Sequence, residues 1–277
     1  MQRHAAMSAD LEHYFAKWNL RSDGAPQRTP SGWMAFVRRH DAPCVLKVPK
    51  VADEINSWLV LDACGGTGAV RLLEHDMSGA QLLERAAPGT HLTDWVAEGR
   101  DDEATAIICD VVKKLHLASP PKGLPSIERL GTGFDRYLTF ETQLIPSATL
   151  SRAKKIFDEL SRTQAPPVLL HGDLHHDNIL FDEQRGWLAI DPKGYLGERE
   201  YEFGAMLRNP TIDPSLFADA SISEVRVESI SKRLGLNAKR ILAWAFAQAI
   251  LSAIWSIEDG EDPTRGIATA EAVLPLL

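Results

Sequence analysis

Residues 168–194, VLLHGDLHHDNILFDEQRGWLAIDPKG, restrict what this chain can fold into more than any other stretch. An apolar run leads into a polar cluster. Two short strand-like pieces follow, and the second, LAI, ends on Asp191. Asp173 and Asn178 stand five residues apart in the polar cluster. Side chains of this kind can share a ligand only if the strands between them turn back as a hairpin and bring two neighbouring backbone segments together.

A loop carrying Asp-x4-Asn, a short hairpin and then an Asp is the layout of a phosphoryl-transfer catalytic loop. Such chemistry needs a carboxylate to orient an acceptor hydroxyl and take its proton. It also needs hard oxygen ligands for a Mg²⁺ ion that bridges nucleotide phosphates. Asp173 suits the first task; Asn178 and Asp191 suit the second. Each also has a plainer reading as a turn or cap residue. His175 and His176 leave open a metallohydrolase reading of HGDLHHD. Mg²⁺ prefers oxygen, however, and no second histidine cluster stands at ligand spacing elsewhere. His171 reads as a residue that orients the loop by hydrogen bonds.

HGDLHHDN followed by IDPKG resembles the aminoglycoside phosphotransferase family, a branch of the protein-kinase-like fold. DPKG, in the place where protein kinases carry DFG, is similar to the streptomycin 6-kinase and hydroxyurea kinase branch. The resemblance spans essentially the whole chain, best over 168–210 and weakest over 118–147. It implies Asp173 as catalytic base and Asn178 and Asp191 as Mg²⁺ ligands. The fold it implies is α+β and two-lobed: a small β-rich lobe over residues 1–86 that binds nucleotide, and a larger, mainly helical lobe over 87–277 that carries catalysis and the acceptor.

The first lobe can be read independently. Residues 9–19 form an amphipathic helix with Leu11, Phe15 and Trp18 on one face. MAFVRR and PCVLKV read as strands around the turn HDAP, and AVRLLEH and AQLLER as a hairpin around DMSG. Lys47, in the apolar strand CVLKV, is the candidate to pair nucleotide phosphates. A helix expected from Asp53 to Cys64 and ended by Gly65-Gly66 supplies Glu54 as its carboxylate partner; the plainer reading is a first-turn acid that suits the helix dipole. TPSGW, with Ser31 and Gly32, takes the place of the Gly-rich phosphate loop. It departs from G-x-G-x-x-G and also reads as an ordinary β-turn. GGTG (65–68) lacks the following Lys-Ser/Thr and reads as a helix stop. QLLERAAPG reads as the hinge, with AAPG as linker. By the resemblance, Glu84 and Ala86 contact adenine through their main chain.

In the second part, residues 101–117 and 149–163 are expected as helices, 118–147 stays unassigned, and the chain is mostly helical from about 214. Glu202 is expected to brace the catalytic loop. Glu198, Glu200, Glu258 and Asp259 are candidates for acceptor binding, with Trp255 as a stacking wall. The uncharged run Ile241–Ile257 contains Gln248 and two serines and reads as a buried core helix rather than a membrane span.

Thirty basic against thirty-eight acidic residues give a net charge of −8, which leaves no basic excess for nucleic acid or anionic membranes. Cys44, Cys64 and Cys109 follow no disulfide or zinc pattern and suit a reducing cytoplasm. The expected protein is a cytoplasmic kinase, a monomer or weak dimer, using ATP and Mg²⁺. It phosphorylates a hydroxyl of a cationic, hydroxylated small molecule, with a streptomycin-type aminoglycoside first. Alternatives are hydroxyurea, a small metabolite, or a nucleotide-binding protein without catalysis. The absence of HRD, DFG and A-P-E elements argues against a protein kinase.

Overall fold

The computed structural model describes residues 9–51, 54–141 and 144–277. After helix α1 (Ala9–Lys17) the chain builds a twisted sheet from β1 (Arg21–Ser22), β2 (Gln27–Thr29), β3 (Gly32–Arg39) and β4 (Ala42–Pro49). Helix α2 (Trp58–Cys64) interrupts it before β5 (Leu72–His75) and β6 (Gln81–Glu84) complete it. The order is β1-β3-β4-β6-β5, with β2 paired to β3.

Alternation along β4 sets up the site. Cys44, Leu46 and Val48 point into a small core with Leu11 and Tyr14 of α1 and with Trp18 just after it. Side chains of the opposite parity leave by the other face, where Val45 packs on the large core of the second lobe. Lys47 shares that parity and so faces the rest of the molecule.

The chain then runs through β7 (Pro88–His91), α3 (Leu92–Ala97), α4 (Asp101–Leu115), α5 (Thr132–Tyr137), α6 (Ser147–Arg162), β8 (Val168–Leu170), β9 (Ile179–Asp182), β10 (Gly186–Ala189) and β11 (Tyr195–Gly197). It ends with α7 (Gly204–Leu207), α8 (Ser215–Ala218), α9 (Ala220–Leu234), α10 (Ala238–Glu258) and α11 (Thr264–Val273). Strands β9 and β10 are the hairpin required between Asn178 and Asp191, and β7 pairs with β9. Helix α10 is long and apolar enough to cross a membrane, but it runs through the core, with Trp244, Phe246, Ile250 and Ile254 fully buried. Asn237 caps it, its side chain accepting from Arg240 N at 3.1 Å.

Three expectations need correction. The helix expected from Asp53 begins at Trp58; Asp53 lies outside the described residues, and Glu54 stands in the turn before the helix. The end of that helix is as expected, with Gly65 in the left-handed conformation (φ 54°). AAPG is not a plain linker, because Pro88 and Gly89 enter β7 and pair with the second lobe. The unassigned stretch 118–147 holds a 3₁₀ turn at Ile127–Gly131 and α5. Its Gly and Pro residues hide helical pieces too short to show a period.

Candidate active site

Asp173, Asn178 and Asp191 come together because the catalytic loop is fastened from beneath. Glu202, 2% exposed, accepts hydrogen bonds from the backbone N–H groups of His171 and Gly172, both at 2.9 Å. Burial alone would raise its pKa. The His116 and His171 rings and the Gly172 N–H outweigh that and hold it below the ordinary carboxylate value. Gly172 has φ +83°, and a Cβ there would lie 2.5 Å from the Tyr195 ring, so the HGD turn needs glycine.

His171 ties the loop to Asp191. Its Nε2 lies 2.8 Å from the Ile190 carbonyl oxygen, and its Nδ1 lies 3.3 Å from the Asp173 N–H. Donation at Nε2 and acceptance at Nδ1 require a neutral ring. Burial lowers its pKa in the same sense. The Ile190 N–H donates to the Asn178 carbonyl at 2.9 Å, so the two arms of the hairpin stay adjacent.

Within the loop, the Asn178 side-chain amide donates to the Asp173 carbonyl at 2.9 Å and approaches His175 Nε2 at 3.2 Å. This leaves the amide oxygen as the group that can meet a ligand. Asp191 adopts φ +61°, a conformation uncommon outside glycine that concentrates at functional sites. Its carboxylate forms an ion pair with Lys47, which also lies 3.8 Å from Glu54. The Lys47 side chain is only 13% exposed. Burial lowers its pKa, and the Glu54 carboxylate opposes that shift. An amide oxygen and a carboxylate on adjoining segments are a hard donor set suited to Mg²⁺, and a buried lysine beside them suits nucleotide phosphates.

Asp173 lines a cleft of about 860 Å³. Burial would raise its pKa. Lys193, His175 and Arg208 outweigh this, keeping it below the ordinary value and ionised at neutral pH. The Lys193 ammonium is 3.7 Å from its carboxylate. Arg136, Trp255, Glu258 and Asp259 line the same cleft. A separate depression of about 530 Å³ on α6 includes no residue of the loop.

Some candidates sit elsewhere. Glu198 is fully buried and does not reach the cleft. It receives Arg240 Nε at 2.7 and 2.8 Å, the Ala165 N–H at 3.1 Å and the Trp244 indole N–H. Glu200 faces the start of α10, 3.4 Å from the Asn237 N–H. Their proximity to Asp191 in sequence is undone by the 3₁₀ turn Arg199–Phe203, which rotates them inward. Glu258 does line the cleft, but Arg136 holds it through two bonds of 2.9 Å. Glu84 is tied by its side chain to Arg71 N at 2.8 Å and to Arg185, and its own N–H donates to the Arg71 carbonyl at 3.0 Å. Ala86 is buried beside it. Ser31 and Gly32 form the tip of the β2–β3 hairpin, where a Cβ on Gly32 would run into the Val48 carbonyl. His175 lines the cleft while His176 is fully buried, so the two rings do not converge as metal ligands. Sequence reasoning missed Lys193 and Arg208 as site residues, although Lys193 stands in the DPKG motif.

A sheet lobe that presents a buried lysine to an Asp-Asn-Asp hairpin of a helical lobe defines a phosphotransferase of the protein-kinase-like fold. Solved structures share it. The choline kinase LicA of Streptococcus pneumoniae superposes with a TM-score of 0.66 at 12% identity, covering 97% of this chain and 98% of that one. The aminoglycoside phosphotransferase APH(4)-Ia, in ternary complex with ADP and hygromycin B, has the same score at 13% identity, covering 96% and 98%. The chain belongs to the aminoglycoside/hydroxyurea antibiotic resistance kinase family, whose sequence model matches residues 17–260. It is 35% identical to a streptomycin 3''-kinase of Klebsiella pneumoniae over 88% of this chain and 91% of that one. It is 30% identical to a hydroxyurea phosphotransferase of Kitasatospora aureofaciens over 95% and 78%.

Proposed function

We propose that this enzyme transfers the γ-phosphoryl group of ATP to a hydroxyl of a streptomycin-type aminoglycoside, with Mg²⁺. The observation that carries the reading is a cleft that Asp173 lines together with Trp255 and Asp259. Asn178, joined to the Asp173 backbone, and the Asp191–Lys47 pair supply the groups for transfer. Trp255 and Asp259 offer a stacking wall and a carboxylate to a cationic ring system.

Asp173 orients the acceptor hydroxyl and takes its proton. Asn178 and Asp191 would hold Mg²⁺, which supplies charge neutralisation on the nucleotide phosphates. Lys47, steadied by Glu54, binds those phosphates, with the 29–33 turn over them and the main chain of Glu84 and Ala86 on adenine. Residues 1–86 thus serve the nucleotide and 87–277 the acceptor. ATP use fits the cytoplasm, as do three free, buried cysteines.

Hydroxyurea is the second reading, favoured by the Kitasatospora relative. The cleft volume favours the aminoglycoside, since about 300–1,000 Å³ is the range of drug-sized ligands and hydroxyurea fills little of it. The test is ADP release by the purified enzyme with streptomycin, hydroxyurea and an amino alcohol as separate acceptors, with ATP or GTP as donor. Release with streptomycin alone supports the reading; release only with hydroxyurea or the amino alcohol rejects it.

A further inference from the structure

Arg208, in the LRNP stretch after α7, is buried at 8% exposure and lines the acceptor cleft together with Asp173. Its Nη1 atom is buried and meets no hydrogen-bond partner among the described residues. Guanidinium remains charged at any physiological pH, so a buried and unmet donor of this kind is unfavourable until an acceptor reaches it. A second guanidinium, that of Arg265 at the start of α11, lines the same cleft and makes no ion pair among the described residues. Burial and the Arg265 charge both disfavour the charged form of Arg208, and the Asp173 carboxylate opposes them. Two like charges brought into one concave wall next to a carboxylate make a place for an anion.

The wall is a built one. Arg226, 1% exposed, donates to the carbonyls of Asn209 at 2.9 Å and Met206 at 3.4 Å, and it is itself clamped by Asp101 at 2.9 and 2.7 Å. Asn209 donates its side-chain amide to the Ala205 carbonyl at 2.9 Å. Arg208 therefore projects from a backbone held on both sides. Lys193, the other cation beside Asp173, is more exposed and already lies 3.7 Å from that carboxylate.

We propose that Arg208, with Arg265 beside it, forms an anion subsite on the acceptor side of Asp173 that receives the phosphoryl group and holds it as the new phosphate monoester. The proposal deepens the kinase reading above and rests on it. In the transfer, the acceptor oxygen forms a bond to the γ-phosphorus as the bond from that phosphorus to its β-bridging oxygen breaks. The electron pair of the broken bond leaves with ADP, and the hydroxyl proton passes to Asp173. Negative charge on the three non-bridging oxygens moves toward the acceptor, where a planar, double-donor guanidinium matches it better than an ammonium does.

Inorganic phosphate is the probe, titrated calorimetrically into the full chain without nucleotide. The wild type binds it. Arg208→Gln weakens binding about 10- to 100-fold, the loss expected for a charge-assisted contact, and the half-buried Arg265→Gln weakens it by less. Lys47→Ala leaves it unchanged, which separates this site from the nucleotide side. Kinetics supply the second arm, with Arg208→Lys keeping charge and bulk. It lowers kcat and weakens inhibition by the phosphorylated acceptor, while the nucleotide KM stays the same. Phosphate binding that is absent, or equal in Arg208→Gln, overturns the subsite. A raised acceptor KM with intact kcat in Arg208→Lys also overturns it, because the arginine would then read an anion belonging to the acceptor. If Arg208-dependent phosphate binding persists while no acceptor is phosphorylated, the anion subsite stands and the kinase reading fails.

Discussion

Lys47 and Asp191 form an ion pair that joins the sheet of the first lobe to the β9–β10 hairpin of the second. The lysine comes from a strand and the aspartate from the end of a hairpin more than a hundred residues later in the chain. Each is positioned separately, the lysine by strand parity and the aspartate by the β9–β10 register. The pair forms only when both lobes are folded and closed on each other.

Replacing either partner should therefore weaken nucleotide handling rather than acceptor binding. Lys47→Ala removes a cation from developing phosphate charge, and kcat/KM for ATP should fall on the order of 10²–10³-fold. Asp191→Ala should abolish the Mg²⁺ dependence of ATP affinity in calorimetry. Asn178→Ala should do the same more weakly, since a neutral amide is the poorer ligand. An unchanged Mg²⁺ dependence in Asp191→Ala would remove that residue from the metal site.

Glu202 carries a pH signature. Its folded pKa lies below the ordinary value of 4.5, so its contribution to stability is fully present above about pH 4.5. That contribution is lost as the pH falls through the lower folded value. Denaturant midpoints should drop between pH 5 and the acid limit in the wild type, and less steeply in Glu202→Gln. Glu202→Ala leaves two buried N–H groups without acceptors and should cost about 3–5 kcal/mol. A wild type and Glu202→Gln with parallel pH profiles would contradict this bracing role.

Glu198 should behave as a structural residue. Arg240, Trp244 and the Ala165 N–H all depend on it, so Glu198→Ala should destabilise the fold by about 3–5 kcal/mol. In the fraction that folds, the acceptor KM should equal that of the wild type. A selective rise in that KM would return Glu198 to the acceptor site.

Asp259 is the better candidate for cation recognition, because Glu258 is already engaged by Arg136. Asp259→Asn should raise the acceptor KM about 10-fold or more, as for loss of a charge-assisted hydrogen bond, with the ATP KM unchanged. The difference should shrink at high salt. Arg136→Gln should lower the acceptor KM if the acceptor's cation takes its place on Glu258. Unaltered acceptor kinetics in Asp259→Asn would leave this part of the cleft as ordinary surface.

The parts legible in the sequence are those with local patterns. The apolar run CVLKV placed Lys47 on a strand, and the spacing of Asp173, Asn178 and Asp191 foretold the hairpin. Acceptor-side residues were harder because they assemble from distant segments. Arg136 and Glu258 lie 122 positions apart. Glu198 and Glu202 belong to one acidic run, yet one is clamped to α10 and the other lies beneath the catalytic loop. The bracing role of Glu202 was expected from the family resemblance, but the burial of Glu198 against α10 shows only in the packing around the 3₁₀ turn. Arg208 carried no signal of its own, since a lone arginine in sequence gives no hint of burial.

The most direct test follows the phosphorus itself. Purified enzyme is incubated with ATP, Mg²⁺ and streptomycin, and the products are read by ³¹P NMR, wild type beside Asp173→Ala. The account predicts a new phosphate monoester resonance with equimolar ADP in the wild type. In Asp173→Ala the rate should be about 10²–10⁴-fold lower, with nucleotide binding and unfolding midpoint retained. A monoester formed at the wild-type rate by Asp173→Ala, or ATP hydrolysed to free phosphate with no ester, would contradict it.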